Sequence, residues 1–157
     1  MSRISYVSFS EVEAAAFLPL LNAGSTREHL VEHEVFEVGS VRAWMEGKIA
    51  VDGEEGSRVR AVLVDGDLAG WCAIQGSEAG PELAVVLQDG FWGVGPRVFR
   101  ELMGWARELG HAVVVIHLLE TRPEYRFLVK RARRVYASEM LGRRFTTYEL
   151  EVAAFAA

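Results

Sequence analysis

The sequence predicts an α+β fold, a mixed but mostly antiparallel sheet flanked by helices, and three observations carry that expectation. Capping signals and helix-spaced apolar residues come first, ahead of a run of strand-like segments. From Arg58 the period shortens to two, with turn residues between the apolar runs. A strand, a glycine-bearing loop, an amphipathic helix and a nearly all-apolar segment then fill residues 82–119. That last unit calls for two parallel strands joined by a crossover helix.

Residues 3–9 alternate weakly and form the first expected strand. Ser10 and Glu13 stand at capping-box spacing, so a helix should begin at Ser10 and run to Asn22, with Gly24 as its stop. Ser25-Thr26-Arg27-Glu28 repeats the box and starts a second helix, and residues 41–46 read as a further turn or two. Residues 52–56 form a loop. Residues 58–64 and 68–75 make a hairpin about Asp65-Gly66-Asp67, and residues 77–81 turn into a strand over 82–87. The helix from Pro96 gathers Val98, Phe99, Leu102, Trp105 and Ala106 on one face, and Gly110 ends it. Residues 112–119 suit a strand covered on both faces. Pro123 fits the first position of a short helix, and residues 135–140 and 145–152 close the chain as a hairpin around Leu141-Gly142-Arg143.

With 157 residues, half of them hydrophobic, the chain has the length for one domain with a real core. No apolar run reaches the length of a membrane span, and Met1-Ser2-Arg3-Ile4 does not open a secretory signal. The single cysteine, Cys72, rules out an intramolecular disulfide framework, so a cytoplasmic location is expected. Cys72 itself reads as a small buried hydrophobe rather than a nucleophile. The net charge of −5 conceals an asymmetry: residues 122–157 carry eight Lys and Arg against four Asp and Glu, residues 1–121 nine against eighteen. A solvated face explains such a basic stretch. A contact for phosphate, nucleic acid or an acidic partner is the sharper alternative.

The loop Gly90-Phe91-Trp92-Gly93-Val94-Gly95 stands between a strand and a helix start, where backbone amides without intrahelical partners can meet an anion. With the element order around it, this stretch resembles the GCN5-related N-acetyltransferases (GNAT). Residues Val62-Leu63-Val64-Asp65-Gly66-Asp67-Leu68-Ala69-Gly70 are typical of that family's second and third strands, and Trp105-Ala106-Arg107-Glu108-Leu109-Gly110 of the end of its third helix. The resemblance is good over residues 58–152 and extends to residues 1–57 by element order. It implies a single GNAT-like domain over residues 1–157, with residues 58–152 as the cofactor-binding core and residues 1–57 on the acceptor side. It also implies acetyl-CoA as co-substrate between two splayed central strands. The pantetheine would pair with the backbone of the strand ending at Leu87, and the pyrophosphate would meet the loop amides from Gly90 through Phe91, Trp92, Gly93 and Val94 to Gly95. Arg97 and Arg126 are the side chains expected near the phosphates. Three positions depart from the family pattern: Gly90 stands where a Gln or Arg is usual, Thr121 where an Asn is usual, and Leu128 where a Tyr protonates the departing thiolate.

Acetyl transfer needs a bound thioester, an amine delivered without its proton, and donors for the developing oxyanion. A strand N–H can supply the last. Glu82 is the candidate base because it opens the central strand at the acceptor end; an exposed strand-end carboxylate is the alternative. Tyr125 is the candidate acid, one helical turn before Leu128, with Tyr136 the other nearby phenol. His117, in phase with Val113, Val115 and Leu119, reads as a satisfied buried histidine, and His111 as a loop residue. His29 and His33 share a helix face but have no third ligand, so no metal is expected. Phe91 and Trp92 either cover the cofactor or plug the core beneath the loop. The leading expectation is an N-acetyltransferase acting on a small-molecule or protein amine. The acidic first part favours a cationic acceptor, no membrane association is expected, and a homodimer is compatible with the sequence. A family-fold binding module without catalysis and an acetyltransferase acting on charged tRNA remain the alternatives.

Overall fold

The computed structural model describes residues 2–22, 37–119, 126–140 and 142–155. Seven strands form one sheet in the order β1-β2-β3-β4-β5-β7-β6. They are β1 (Ile4–Val7), β2 (Arg58–Val64), β3 (Asp67–Ser77), β4 (Gly80–Leu87), β5 (Val113–Leu119), β6 (Ala132–Met140) and β7 (Arg143–Glu151). Every neighbouring pair is antiparallel except β4 and β5, which run parallel across the crossover helix as the sequence requires. The helices are α1 (Ala14–Asn22), α2 (Val38–Asp52), α3 (Gly95–Glu108) and α4 (Arg126–Arg131).

The hairpin at Asp65-Gly66 forms with both residues at positive φ, +51° and +88°, the backbone twist that a two-residue turn between antiparallel strands needs. The Asp65 amide donates to the Arg3 carbonyl and its carboxylate accepts the Arg3 amide, which locks β1 onto β2. The helix at Pro96 begins one residue earlier, at Gly95, and ends as its glycine implies. Gly110 takes φ +83°, its amide donates to Arg107, and the His111 amide donates back to the Ala106 carbonyl.

The start of the chain departs from expectation. The capping box falls at Ser8, whose amide donates to Glu11 Oε2 at 3.2 Å, and it starts a short 3-10 turn over Phe9–Glu11. The α-helix proper begins only at Ala14 and accommodates Pro19. Burial of Phe9 explains the shift: the ring is 2% exposed, so the chain must turn at Ser8 to deliver it to the core. The helix proposed to start at Ser25 lies outside the described residues. The two turns expected over residues 41–46 are part of the longer α2, which persists through Gly39 and Gly47. Its start is fastened by the Ser40 hydroxyl, which accepts the Glu37 amide and donates to the Glu37 carbonyl. Burial of Val41 and Met45 then outweighs the poor helix propensity of two glycines.

Two apolar layers cover the sheet. On one face α3 buries Val98, Phe99, Leu102 and Trp105 against Cys72, Ile74, Leu83, Val114 and Ile116. On the other, α1 and α2 pack Phe17, Leu20, Val41 and Met45 against Ala61, Trp71, Ala73 and Val86. Phe17 is fully buried, its ring 4.9 Å from Phe9 and 5.4 Å from Trp44. Phe17→Ala is therefore expected to cost about 3–5 kcal/mol, read as a lower denaturant midpoint at unchanged slope. Cys72 is fully buried and burial pushes its thiol far up, which suits packing and not nucleophilic attack. Among the described residues no helix is long and apolar enough to cross a membrane.

Candidate functional site

The two parallel strands do not stay together. β4 and β5 pair only at Glu82–Val115 and Leu83–Ile116, although β4 continues to Leu87 and β5 to Leu119. Each strand keeps its outer partner throughout: β4 remains laddered to β3 as far as Gly70–Leu87, and β5 to β7 as far as Leu119–Phe145. A wedge-shaped gap therefore opens in the middle of the sheet, closed at Leu83 and Ile116 and widening toward Leu87.

Three contacts pull the end of β4 away from β5. The Gln88 amide donates to the Ala69 carbonyl at 2.8 Å, and its side-chain amide donates to the Leu68 carbonyl at 2.9 Å. At Gly70 the strands come so close that an added Cβ would lie 1.9 Å from the Val86 carbonyl oxygen. Only glycine permits that approach.

The loop beyond Leu87 stands at the wide end of the gap. Gly90 takes φ +89°, a 3-10 turn spans Trp92–Val94, and α3 begins at Gly95. Two loop amides are already engaged: Phe91 N–H donates to Gln88 and Val94 N–H to Phe91. Pro96, in the first turn of α3, offers none. Gly90 and Gly93 are exposed, with open space where a Cβ would stand. Phe91 and Val94 pack against the α3-side core, so the Phe91 ring plugs the layer under the loop. The Trp92 side chain lies outside the described residues.

Several basic side chains are engaged within the protein. Arg97 donates to the Ser2 carbonyl at 2.9 Å, beside β1. Arg126 opens α4, with its side chain outside the described residues, as is Tyr125. Farther on, Arg131 lies over the Phe155 ring and Arg134 over Tyr136, while Arg133 pairs with Glu149 and Glu151. Arg133 and Arg134 therefore act within the closing β6–β7 hairpin and Arg131 between α4 and the C-terminal turn, which accounts for part of the charge of residues 122–157 without a polyanion. Leu128 is buried in the core.

At the closed end of the gap, on the α1–α2 face, the titratable groups gather. Strand alternation places Glu82, Ala84 and Val86 of β4 on that face, with Val115 and His117 of β5. Glu82 is half-buried rather than the exposed strand-end carboxylate of the alternative reading. Burial raises its pKa, with the Lys48 charge opposing. Burial likewise lowers the Lys48 pKa, with Glu82 opposing. Lys48 Nζ donates to Gln75 Oε1 at 2.9 Å and sits 4.8 Å from the centre of the Trp71 ring.

His117 departs from its sequence reading. Nδ1 is 2.7 Å from Thr147 Oγ1, which lies 2.7 Å from Ser138 Oγ. Nε2, though buried, has no hydrogen-bond partner among the described residues. Apolar periodicity could identify a buried histidine but not which nitrogen is satisfied, because Thr147 and Ser138 come from β7 and β6. His111 is a loop residue as read, with Nε2 2.7 Å from the Gly56 carbonyl oxygen. His29 and His33 lie outside the described residues, among which no cluster of His, Cys, Asp and Glu could hold a metal.

No family model matches this sequence, and no curated protein matches it either. Solved structures do resemble it. A GNAT-family protein from Chromobacterium violaceum superposes with a TM-score of 0.72 at 13% identity, over 98% of this chain and 89% of that one. The microcin C7 self-immunity acetyltransferase, in complex with acetyl-CoA and AMP, gives 0.72 at 12% identity over 94% and 92%. The Salmonella typhimurium acetyltransferase that modifies the N-terminal serine of ribosomal protein L7/L12 gives 0.70 at 15% identity over 94% and 93%. With a seven-stranded sheet parted between β4 and β5 and the loop at its wide end, the chain has the fold of the GCN5-related N-acetyltransferases.

Proposed function

We propose that this protein is an acetyl-CoA-dependent N-acetyltransferase that acts on an amine of a small molecule or a protein. The observation that carries the reading is the two-pair ladder between β4 and β5. A paired sheet would have no use for such a gap, because each missed backbone bond near the core is costly unless something else fills it. An extended pantetheine arm, with its own amides, suits the inner edge of β4 from Ala84 onward. The exposed glycines at the wide end suit a diphosphate, and the amides of Gly93 and Gly95 are its proposed donors. The bound acetyl-CoA of the microcin immunity enzyme supports this choice of co-substrate.

Glu82 is the proposed acceptor of the proton that the incoming ammonium must lose. Burial moves its pKa in the direction a base working near neutral pH needs. Residues 1–57 contribute the α1–α2 layer from which the amine enters. The ribosomal-protein enzyme supports a protein amine as one acceptor class.

Calorimetry with acetyl-CoA tests the co-substrate, and release of free thiol with a panel of primary alkylamines and N-terminal peptides tests the transfer. Saturable binding plus amine-dependent thiol release is expected. No heat and no thermal shift at millimolar acetyl-CoA would overturn the reading.

A further inference from the structure

We infer that His117 carries a proton from the attacking nitrogen to the departing sulphur, touching the reacting atoms through Nε2. This inference rests on the transferase reading and adds a residue to it. With the diphosphate beyond Leu87, an arm lying along β4 reaches the closed end over four residues, about 13 Å. The thioester then sits beside Leu83 and Ala84, level with His117, the first β5 residue past the ladder. His117 shares its sheet face with Glu82, the side from which the acceptor arrives.

The Thr147–Ser138 chain fits either imidazole tautomer, and the proposal uses the one in which Nδ1 carries the proton. When Nδ1–H donates to Thr147 Oγ1, the Thr147 hydroxyl donates onward to Ser138 Oγ, and each oxygen of the chain accepts one bond. Nε2 is then left with its lone pair, buried and without a hydrogen-bond partner among the described residues. A lone pair of this kind is a ready proton acceptor. The charged and titratable groups on the sheet face of His117 are Glu82 from β4, Glu149 from β7 with its partner Arg133, and Arg134 and Tyr136 from β6, while Lys48 of α2 lies over that face beside Gln75. Burial is what governs the ring, holding it below the ordinary histidine pKa and neutral at pH 7.

The step balances without a further reactant. As the nitrogen bonds to the carbonyl carbon, its N–H proton passes to Nε2. As the C–S bond breaks, the same proton passes from Nε2 to the sulphur. One N–H and one C–S bond are exchanged for one C–N and one S–H bond, and the imidazole ends as it began. Glu82 takes a different proton, the one that makes the incoming amine an ammonium.

The test uses H117Q and T147V beside the unaltered protein, with acetyl-CoA and whichever panel amine is turned over. H117Q should lower kcat at least about 100-fold, within the range of general acid–base catalysis. Its acetyl-CoA affinity should stay within about threefold and its thermal midpoint near that of the parent. T147V should lower kcat less and, by nitrogen-15 NMR of the free protein, mix the two imidazole tautomers. In the parent, the same spectrum should show Nδ1 protonated and Nε2 bare at pH 7. A parent spectrum with Nε2 protonated, or an H117Q kcat within twofold of the parent, would overturn the role of His117 while leaving the transferase standing. Absence of acetyl-CoA binding by the parent would bring down both.

Discussion

Gly70→Val is expected to damage stability and cofactor binding together. A Cβ at this position would stand 1.9 Å from the Val86 carbonyl oxygen and 2.9 Å from the Leu87 Cα, both backbone atoms that cannot rotate away. Relief requires β4 to shift as a strand, away from β3 and into the gap that separates it from β5. Overpacking of this kind costs about 3 kcal/mol, which for a chain of this length lowers the thermal midpoint by roughly 6–12 °C. The same shift narrows the wedge, so acetyl-CoA affinity should fall by at least tenfold. Gly76→Val in the same strand is the control. Gly76 is exposed, with nothing within 4 Å of an added Cβ, and a β-branched residue there should leave both quantities close to the parent values. A Gly70→Val protein that melts and binds like the Gly76→Val protein would remove the close approach of β3 and β4 as the cause of the gap.

The position of Gly70 shows what was legible in the chain and what was not. Local signals set the middle of the fold correctly: Asp65-Gly66 specified its hairpin, Gly110 its helix end, and the apolar run before His117 a strand inside the sheet. Each depends on residues a few positions apart. The starts of α1 and of β6 were displaced because burial of Phe9, and register against β7, act across the fold. The site divides along the same line. The parallel pair and the strand–loop–helix unit could be placed from spacing, while the strand that carries Glu82 begins two residues earlier than expected, at Gly80. The role of Gly70 could not, because it depends on where Val86 lies in the next strand. The unpartnered Nε2 was hidden for the same reason, since the hydroxyls of Thr147 and Ser138 come from the two strands beyond.

The second large effect is expected at Glu82, and Lys48 gives it a sign. If the carboxylate must be ionised to take the ammonium proton, kcat/KM falls as pH drops through its pKa, which burial has raised. The Lys48 charge on α2 pulls that pKa down. Lys48→Met keeps an unbranched side chain but deletes the charge beside Trp71, so the acid limb of the pH profile should move to higher pH. At the alkaline plateau the rate should be largely retained. Glu82→Gln should lower kcat/KM about 100-fold and erase that limb altogether. A second limb, set by protonation of His117 below its ordinary pKa, should then remain at lower pH. The two groups are separable in this way because one perturbation moves them in opposite directions. Burial disfavours the charged form of each, which raises a carboxyl and lowers an imidazole, and only Glu82 has the Lys48 charge opposing the shift. An acid limb unmoved in Lys48→Met, or a Glu82→Gln protein that works as fast as the parent, would show that Glu82 takes no proton from the amine.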